Sequence, residues 1–144
     1  MRRFLFDTSV FIYALGGQHF YRDPCRAILD NAERGHLVGE ASVELIHEFA
    51  YVRLRQTANR LEAAESARLI ADACTLHPVE PADIDRALQL WCAHERLDVR
   101  DAVFAAQALN RDIDAILSPD RDLDGIPGLE RIDPADANAI ATLR

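Results

Sequence analysis

The segment SPDRDLDG, Ser118 to Gly125, sets aspartates at three alternate positions, Asp120, Asp122 and Asp124, ahead of a glycine. Carboxylates crowded together repel one another and raise one another's pKa unless a cation compensates, so such a cluster is a candidate for holding a hard divalent ion. The spacing D-x-D-x-D-G is that of the start of an EF-hand calcium loop. Its ending does not fit: Arg131 stands where the bidentate glutamate belongs, Pro127 lies mid-loop, and a β-prone segment rather than a helix precedes the site. A phosphotransfer site with Asp120 as nucleophile fails as well, because Ser118 and Pro119 intervene after the apolar strand and Leu123 follows Asp122 where a small or hydroxyl residue is usual. The reading that remains gathers carboxylates from distant segments: Asp7, Glu48, Asp101 and Asp120, each at or near one edge of a sheet.

Composition narrows the chemistry further. The chain has 144 residues, a formal charge of -8 and 16 basic residues, every one an arginine. Without lysine there is no P-loop and no lysine base. An acidic chain has a poor long-range field for nucleic acid, unless bound cations reverse the local sign. The three cysteines, Cys25, Cys74 and Cys92, are too widely spaced for a zinc site or a disulfide framework, and the five histidines are scattered. No apolar run reaches the roughly 20 residues of a membrane span, and the opening MRRFLFDTSVF meets an aspartate too early for a signal peptide. A cytoplasmic protein without a membrane partner is expected.

The elements that must position these acids follow from periodicity. RRFLF is a β-prone run ending at Asp7, and TSVFIYAL continues it at helical spacing. PCRAILDNAERG is a helix with Pro24 in its first turn and Gly35 as its stop; HLVGEA is a second strand. SVELIHEFAYVRLR, with Val43, Ile46, Phe49, Ala50 and Val52 recurring every three or four residues, is an amphipathic helix that carries Glu44 and Glu48 on one face. RLEAAESARLIADAC is a fourth helix, TLHPV a short strand, and PADIDRALQLWCAHERL a fifth helix with Trp91 expected in its core. DVRDAVFAAQALNR sets Val99, Val103, Ala106 and Leu109 on a stripe, with small alanines allowing close approach. IDAIL is a strand, DGIPG a turn, LERI an edge strand and PADANAIATL a last helix beginning at Pro134. Strands alternating with helices predict an α/β fold in one compact domain over residues 1–144, its sheet parallel and covered on both faces, with the site outside the carboxyl ends of the strands.

Four segments carry a family resemblance. FLFDTSVFI, ELIHEF, RDAVFAAQA and ILSPDRDL resemble, in that order, the signature segments of the PIN-domain nucleases, specifically bacterial toxins of the VapC type, over the chain from Phe4 to about Pro134. The resemblance implies a PIN-like three-layer α/β/α fold with a central, mainly parallel sheet. It places the family's four acids on Asp7, Glu48, Asp101 and Asp120: Asp7, Asp101 and Asp120 as metal ligands, Glu48 as a ligand or the residue that orients water. Ser118 stands where the family often has threonine and keeps the hydroxyl, as a supporting residue. Leu123 stands where an aromatic residue is common, which leaves Asp122 as a supporting residue or an extra ligand.

The implied activity is a Mg²⁺-dependent endoribonuclease, with Mn²⁺ as a substitute, that leaves a 3′ hydroxyl and a 5′ phosphate. A bound divalent ion can acidify water, orient it for in-line attack and stabilise the leaving oxygen. The implied partners are an RNA substrate, a cognate antitoxin and a second copy in a homodimer, with Phe11, Phe20 or Tyr21 on the first helices suited either to such a contact or to the core. The competing readings are a PIN nuclease of RNA maturation without an antitoxin, and a non-catalytic metal- or protein-binding module that kept the fold. Individual residues also have plainer roles: Asp7 as a helix cap, Asp98 and Asp101 as a capping box, Glu44 as a surface residue, and Asp124 as a turn residue.

Overall fold

The computed structural model describes residues 1–144. In chain order the elements are β1 (Phe4–Phe6), α1 (Thr8–Leu15), α2 (Arg22–Glu33), β2 (Gly39–Ser42), α3 (Val43–Thr57), α4 (Arg60–Ala73), β3 (Thr75–His77), α5 (Pro81–Ala93), α6 (Val99–Asn110), β4 (Ala115–Leu117), a 3₁₀ turn (Arg121–Leu123), β5 (Glu130–Ile132) and α7 (Ala137–Ala141). The five strands form one sheet, ordered β3-β2-β1-β4-β5, and every neighbouring pair is parallel. Helices flank it: α1 packs on α2 and α3, α3 on α4, α5 on α6, and α6 rests against β1 and β4. This is the α/β/α arrangement expected, with a sheet wholly rather than mainly parallel.

The central strands are short and wholly apolar because both faces are covered, as β1 (FLF) and β4 (AIL) illustrate with every residue buried. Phe4, Phe6 and Phe11 form a chain of rings with centroids 4.9 and 4.8 Å apart. The β1–β2 pairing needs Gly39, where a Cβ would stand 1.9 Å from the Phe6 ring. Strand order reverses between β1 and β4: the chain first adds β2 and β3 on one side of β1, then crosses to the other side for β4 and β5. In a parallel sheet this reversal opens a crevice outside the carboxyl ends of the two strands.

Local signals set the helix ends. Ser42 accepts the Glu44 N–H at 3.1 Å, Asn59 accepts the Glu62 N–H at 3.1 Å and Asp98 accepts the Arg100 N–H at 2.7 Å. The N–H of Glu80 donates to the Asp83 carboxylate at 2.8 Å, just ahead of Pro81.

Three expectations need correction, and one left open between core and contact surface is resolved. Trp91 is 48% exposed, because α5 buries the stripe Asp83, Ala87 and Leu90 and Trp91 lies one residue beyond it. In α6 only Val99 leaves the expected stripe: it is exposed, while Ala106 is buried and Val103 and Leu109 pack partly buried against the core, and the inward face widens to Ala102, Phe104, Ala105 and Ala108, whose alanines let the helix approach the sheet. The last helix begins at Ala137, capped by Asp136, while Pro134 sits in a turn where Asp133 accepts the Ala135 N–H at 2.9 Å. Phe11 is core, and of the three aromatic residues named for a contact surface Phe20 is the exposed one, at 74%.

Candidate active site

Asp7 is the residue at which β1 ends, and its N–H still donates to the Leu117 carbonyl at 3.0 Å, so the β1–β4 ladder runs directly into it. Ser118 ends β4 in the same way, donating its N–H to the Ile132 carbonyl at 3.0 Å. The two side chains therefore meet across the reversal point. The buried Ser118 hydroxyl donates to Asp7 Oδ2 at 2.6 Å, and the Ser9 hydroxyl donates to the same oxygen at 2.7 Å. Asp7 makes no side-chain bond that caps α1, so the plain role of a helix cap does not account for it.

A short relay continues from Ser118. Its oxygen accepts the Asp120 N–H at 3.0 Å, and Asp120 Oδ1 accepts the Asp122 N–H at 2.9 Å. This is the local chemistry of serine and aspartate in turns, and it holds the Asp120 carboxylate at the mouth of the crevice. Asp101 arrives from the first turn of α6 and Glu48 from α3, where Glu48 accepts the Thr8 hydroxyl at 3.2 Å.

All four acids line one cleft of about 450 Å³, together with Asp98 and Arg100. Their charge is poorly compensated. Burial, followed by the charges of Asp7, Asp120 and Asp98, pushes the Asp101 carboxyl up to about 8. Burial also raises Asp7, against the pull of its two hydroxyl donors, and Asp120 adds to the rise. Glu48 is raised by burial and opposed by the charge of Arg100. The donors are all hard oxygens, the type that suits Mg²⁺ or Mn²⁺. No group of three acids, histidines or cysteines is disposed to enclose one ion as the side chains stand. Magnesium does not require that, since it keeps several waters and uses one or two carboxylates plus phosphate oxygens.

Of the residues singled out in the sequence, Asp7, Glu48, Asp101, Asp120 and Ser118 come together here. The Asp122 carboxylate does not line the cleft; it is exposed, and its contribution is its backbone N–H. Asp124 instead accepts from Arg131 at 2.6 Å, and Glu44 is exposed beside His47. Asp98 is both the cap of α6 and a cleft residue, and sequence reasoning caught only the first role. The hydroxyls of Thr8 and Ser9 were also missed, although their place directly after an aspartate at a strand end was a usable signal.

Comparison with known proteins agrees with this fold. The PIN domain family model matches residues 4–129. Ribonuclease VapC7 of Mycobacterium tuberculosis is 30% identical over 139 residues, covering 95% of each chain. Ribonuclease VapC23 of the same species is 34% identical over 122 residues, covering 81% of this chain and 92% of the relative. The crystal structure of DNA-bound VapBC from Salmonella typhimurium superposes with a TM-score of 0.68 at 16% identity, covering 93% of this chain and 99% of the other. With its acids gathered where two parallel strands diverge and its similarity running nearly end to end, the chain belongs to the PIN domain family, among VapC-type proteins.

Proposed function

We propose that the protein is a Mg²⁺-dependent endoribonuclease, the toxin member of a toxin–antitoxin pair, with Mn²⁺ able to substitute. One observation carries the reading: acids from four separate segments of the chain share a cleft in which their mutual repulsion has no protein counter-charge beyond Arg100. Relatives that bear the name ribonuclease, and a toxin–antitoxin complex from Klebsiella pneumoniae among the structural matches, support the choice of RNA and of a protein antitoxin as partners. A second copy of the chain is part of the same proposal.

Asp7, Asp101 and Asp120 would hold the ion, and Glu48 would ligate it or orient a water. The ion, when bound, supplies neutralisation of phosphate charge and acidification of water. Both hydroxyl bonds to Asp7 fall on Oδ2, which leaves Oδ1 without a hydroxyl donor and available to a cation. Ser118 fixes Asp7 and, through the Asp120 N–H, Asp120 as well, so one hydroxyl sets the separation of two acids. Thr8 holds Glu48 at the opposite wall. Burial and the neighbouring acids favour a proton on the Asp101 group, and a cation bound there would displace it, so loading would release acid.

The test is cleavage of total RNA by purified protein with Mg²⁺ or Mn²⁺ and with EDTA. Discrete new ends bearing 5′ phosphates are expected with metal, reduced by about a hundred- to a thousand-fold in Asp7→Asn and Asp101→Asn, the scale of losing a group that stabilises transition-state charge. Intact RNA with both metals would leave only a binding module. Cleavage unaffected by either substitution would remove these acids from the mechanism.

A further inference from the structure

One wall of the acid cleft is aromatic, and the ribonuclease reading does not use it. Tyr13, from α1, and Tyr21, at the start of α2, both line the cleft. Between them the connection GGQH brings His19 onto Tyr13, rings stacked at 4.3 Å and 18°, with Tyr21 parallel to His19 at 6.1 Å and 18°. Phe20 meets Tyr21 edge-on at 5.1 Å.

The loop is built to hold this order. A Cβ on Gly16 would stand 2.8 Å from the Ile12 carbonyl oxygen, so the glycine permits the tight exit from α1 that returns His19 over Tyr13. The Tyr21 N–H donates to His19 Nδ1 at 3.1 Å and fixes the imidazole plane, while the Tyr21 hydroxyl donates to Asp133 at 3.0 Å. Tyr13 and Tyr21 pack partly buried against the core, but core packing does not explain the outer two rings: His19 is exposed and Phe20 is 74% exposed, and they line a separate depression with Arg22 rather than the acid cleft itself. A pre-ordered aromatic stack with solvent-facing outer members has lost little by burial and is free to stack on something else.

We propose that Tyr13, His19, Phe20 and Tyr21 form a stacking platform for an unpaired RNA base beside the phosphate seated among the acids, an assignment that rests on the ribonuclease reading above. Stacking is the binding mode that the charge of the chain leaves open. At a net charge of -8, with Arg100 as the cation of the cleft lining, the counterion-release contribution that normally drives nucleic-acid binding is small. Base–aromatic stacking supplies affinity without phosphate neutralisation, and it tolerates sequence because every base has a π-face. The platform also selects against duplex, whose bases are not free to leave their stack.

The experiment is a cycle between protein and RNA. It uses the full chain, Phe20→Ala, His19→Ala and Phe20→Trp, and a single-stranded oligoribonucleotide that the wild type cuts, with and without an abasic linker at each position next to the cut. Phe20→Ala or His19→Ala is expected to raise KM at least ~5-fold, the lower end for losing one base–aromatic stack, with kcat within about two-fold and Phe20→Trp restoring KM. One abasic position should cause the same rise in the wild type and add little in Phe20→Ala, since the two changes then remove the same contact. Unchanged KM in both alanine variants, or full additivity at every abasic position, overturns the platform. So does a result in which RNA kinetics are unaltered and only inhibition by a protein partner weakens. A wild type that cuts no RNA refutes the ribonuclease reading itself, and the platform with it.

Discussion

The two ends of the sheet treat carboxylates in opposite ways. At the amino end Arg2 reaches Asp114 and Glu130 at 3.0 and 2.7 Å, and Arg3 reaches into β2 to hold Glu40 with bonds of 2.7 and 2.8 Å, where His77 from the end of β3 approaches it at 2.7 Å. Beneath α5, Arg111 grips the buried Asp83 at 2.9 and 3.0 Å with help from Asn110. Glu40 is accordingly held below its ordinary range by Arg3 despite burial, and Asp83, whose burial is outweighed by Arg111 and its other donors, is held down to about 2. At the carboxyl end Asp7, Glu48 and Asp101 all shift the other way. The same residue types are ion pairs outside the cleft and share only Arg100 within it, and only the second arrangement asks for a cation from outside.

The sharpest way to break the contrast is to remove a counter-charge where one exists. Arg111→Ala leaves the Asp83 carboxylate buried without its partner, which costs about 3–5 kcal/mol and lowers the melting temperature by roughly 10–15 °C. Thermal unfolding measures it, and a loss under about 2 °C would mean the pair carries no weight.

A second effect is the pH profile of the two ends. Asp101 has its folded pKa near 8 against an ordinary 3.8, so the folded state holds the extra proton: the stability this contributes is complete below about pH 4 and is lost as pH rises through 8. Asp83 has the opposite sign, since its folded value near 2 gives stability that is present above about pH 4 and lost as pH falls through 2. The metal-free protein should therefore melt progressively lower from pH 5 to pH 8.5. Mg²⁺ should stabilise it more at pH 8 than at pH 5, and Asp101→Asn should flatten the metal-free profile. A flat wild-type profile would show that the acids do not repel as described.

Smaller is the effect of Ser118→Ala, which removes the hydroxyl shared by Asp7 and the Asp120 amide. Cleavage is expected to fall by about 10–100-fold, as for groups that orient metal ligands, and Ser118→Thr to retain most of it. Equal activity in Ser118→Ala would make the hydroxyl dispensable. Smallest is Arg2→Ala: its partners are 67% and 58% exposed, and such pairs contribute about 1 kcal/mol or less, so a shift of no more than a few degrees in melting temperature is expected.

Much of this contrast was legible before the fold was seen. Alternating β-prone and helical periods, Pro81 opening a helix, and Asp7 and Ser118 at strand ends follow from backbone rules that act over a few residues. Helix faces were less legible. The inward side of α6 is chosen by what α6 rests against, β1 and β4, and alanine fits that approach, so the buried face extends beyond the expected stripe to Ala102, Ala105 and Ala108 while Val99 stays outside it. Trp91 faces outward because α5 turns its Asp83–Ala87–Leu90 side inward, toward the Arg111 pairing. Asp98 illustrates a further limit, because a residue that caps a helix by local rules can also line a cleft, and only the neighbouring segments reveal the second role.

By itself, then, the sequence determined the order of strands and helices, the absence of any lysine base, and the positions of acids and hydroxyls relative to strand ends, because each is decided by residue type or by forces acting within a few positions. The tertiary structure alone decided which carboxylates receive an arginine and which receive only one another, and that an aromatic stack would stand beside them. Coulomb and desolvation energies depend on distances between residues far apart in the chain, and those distances exist only once β1 and β4 lie side by side.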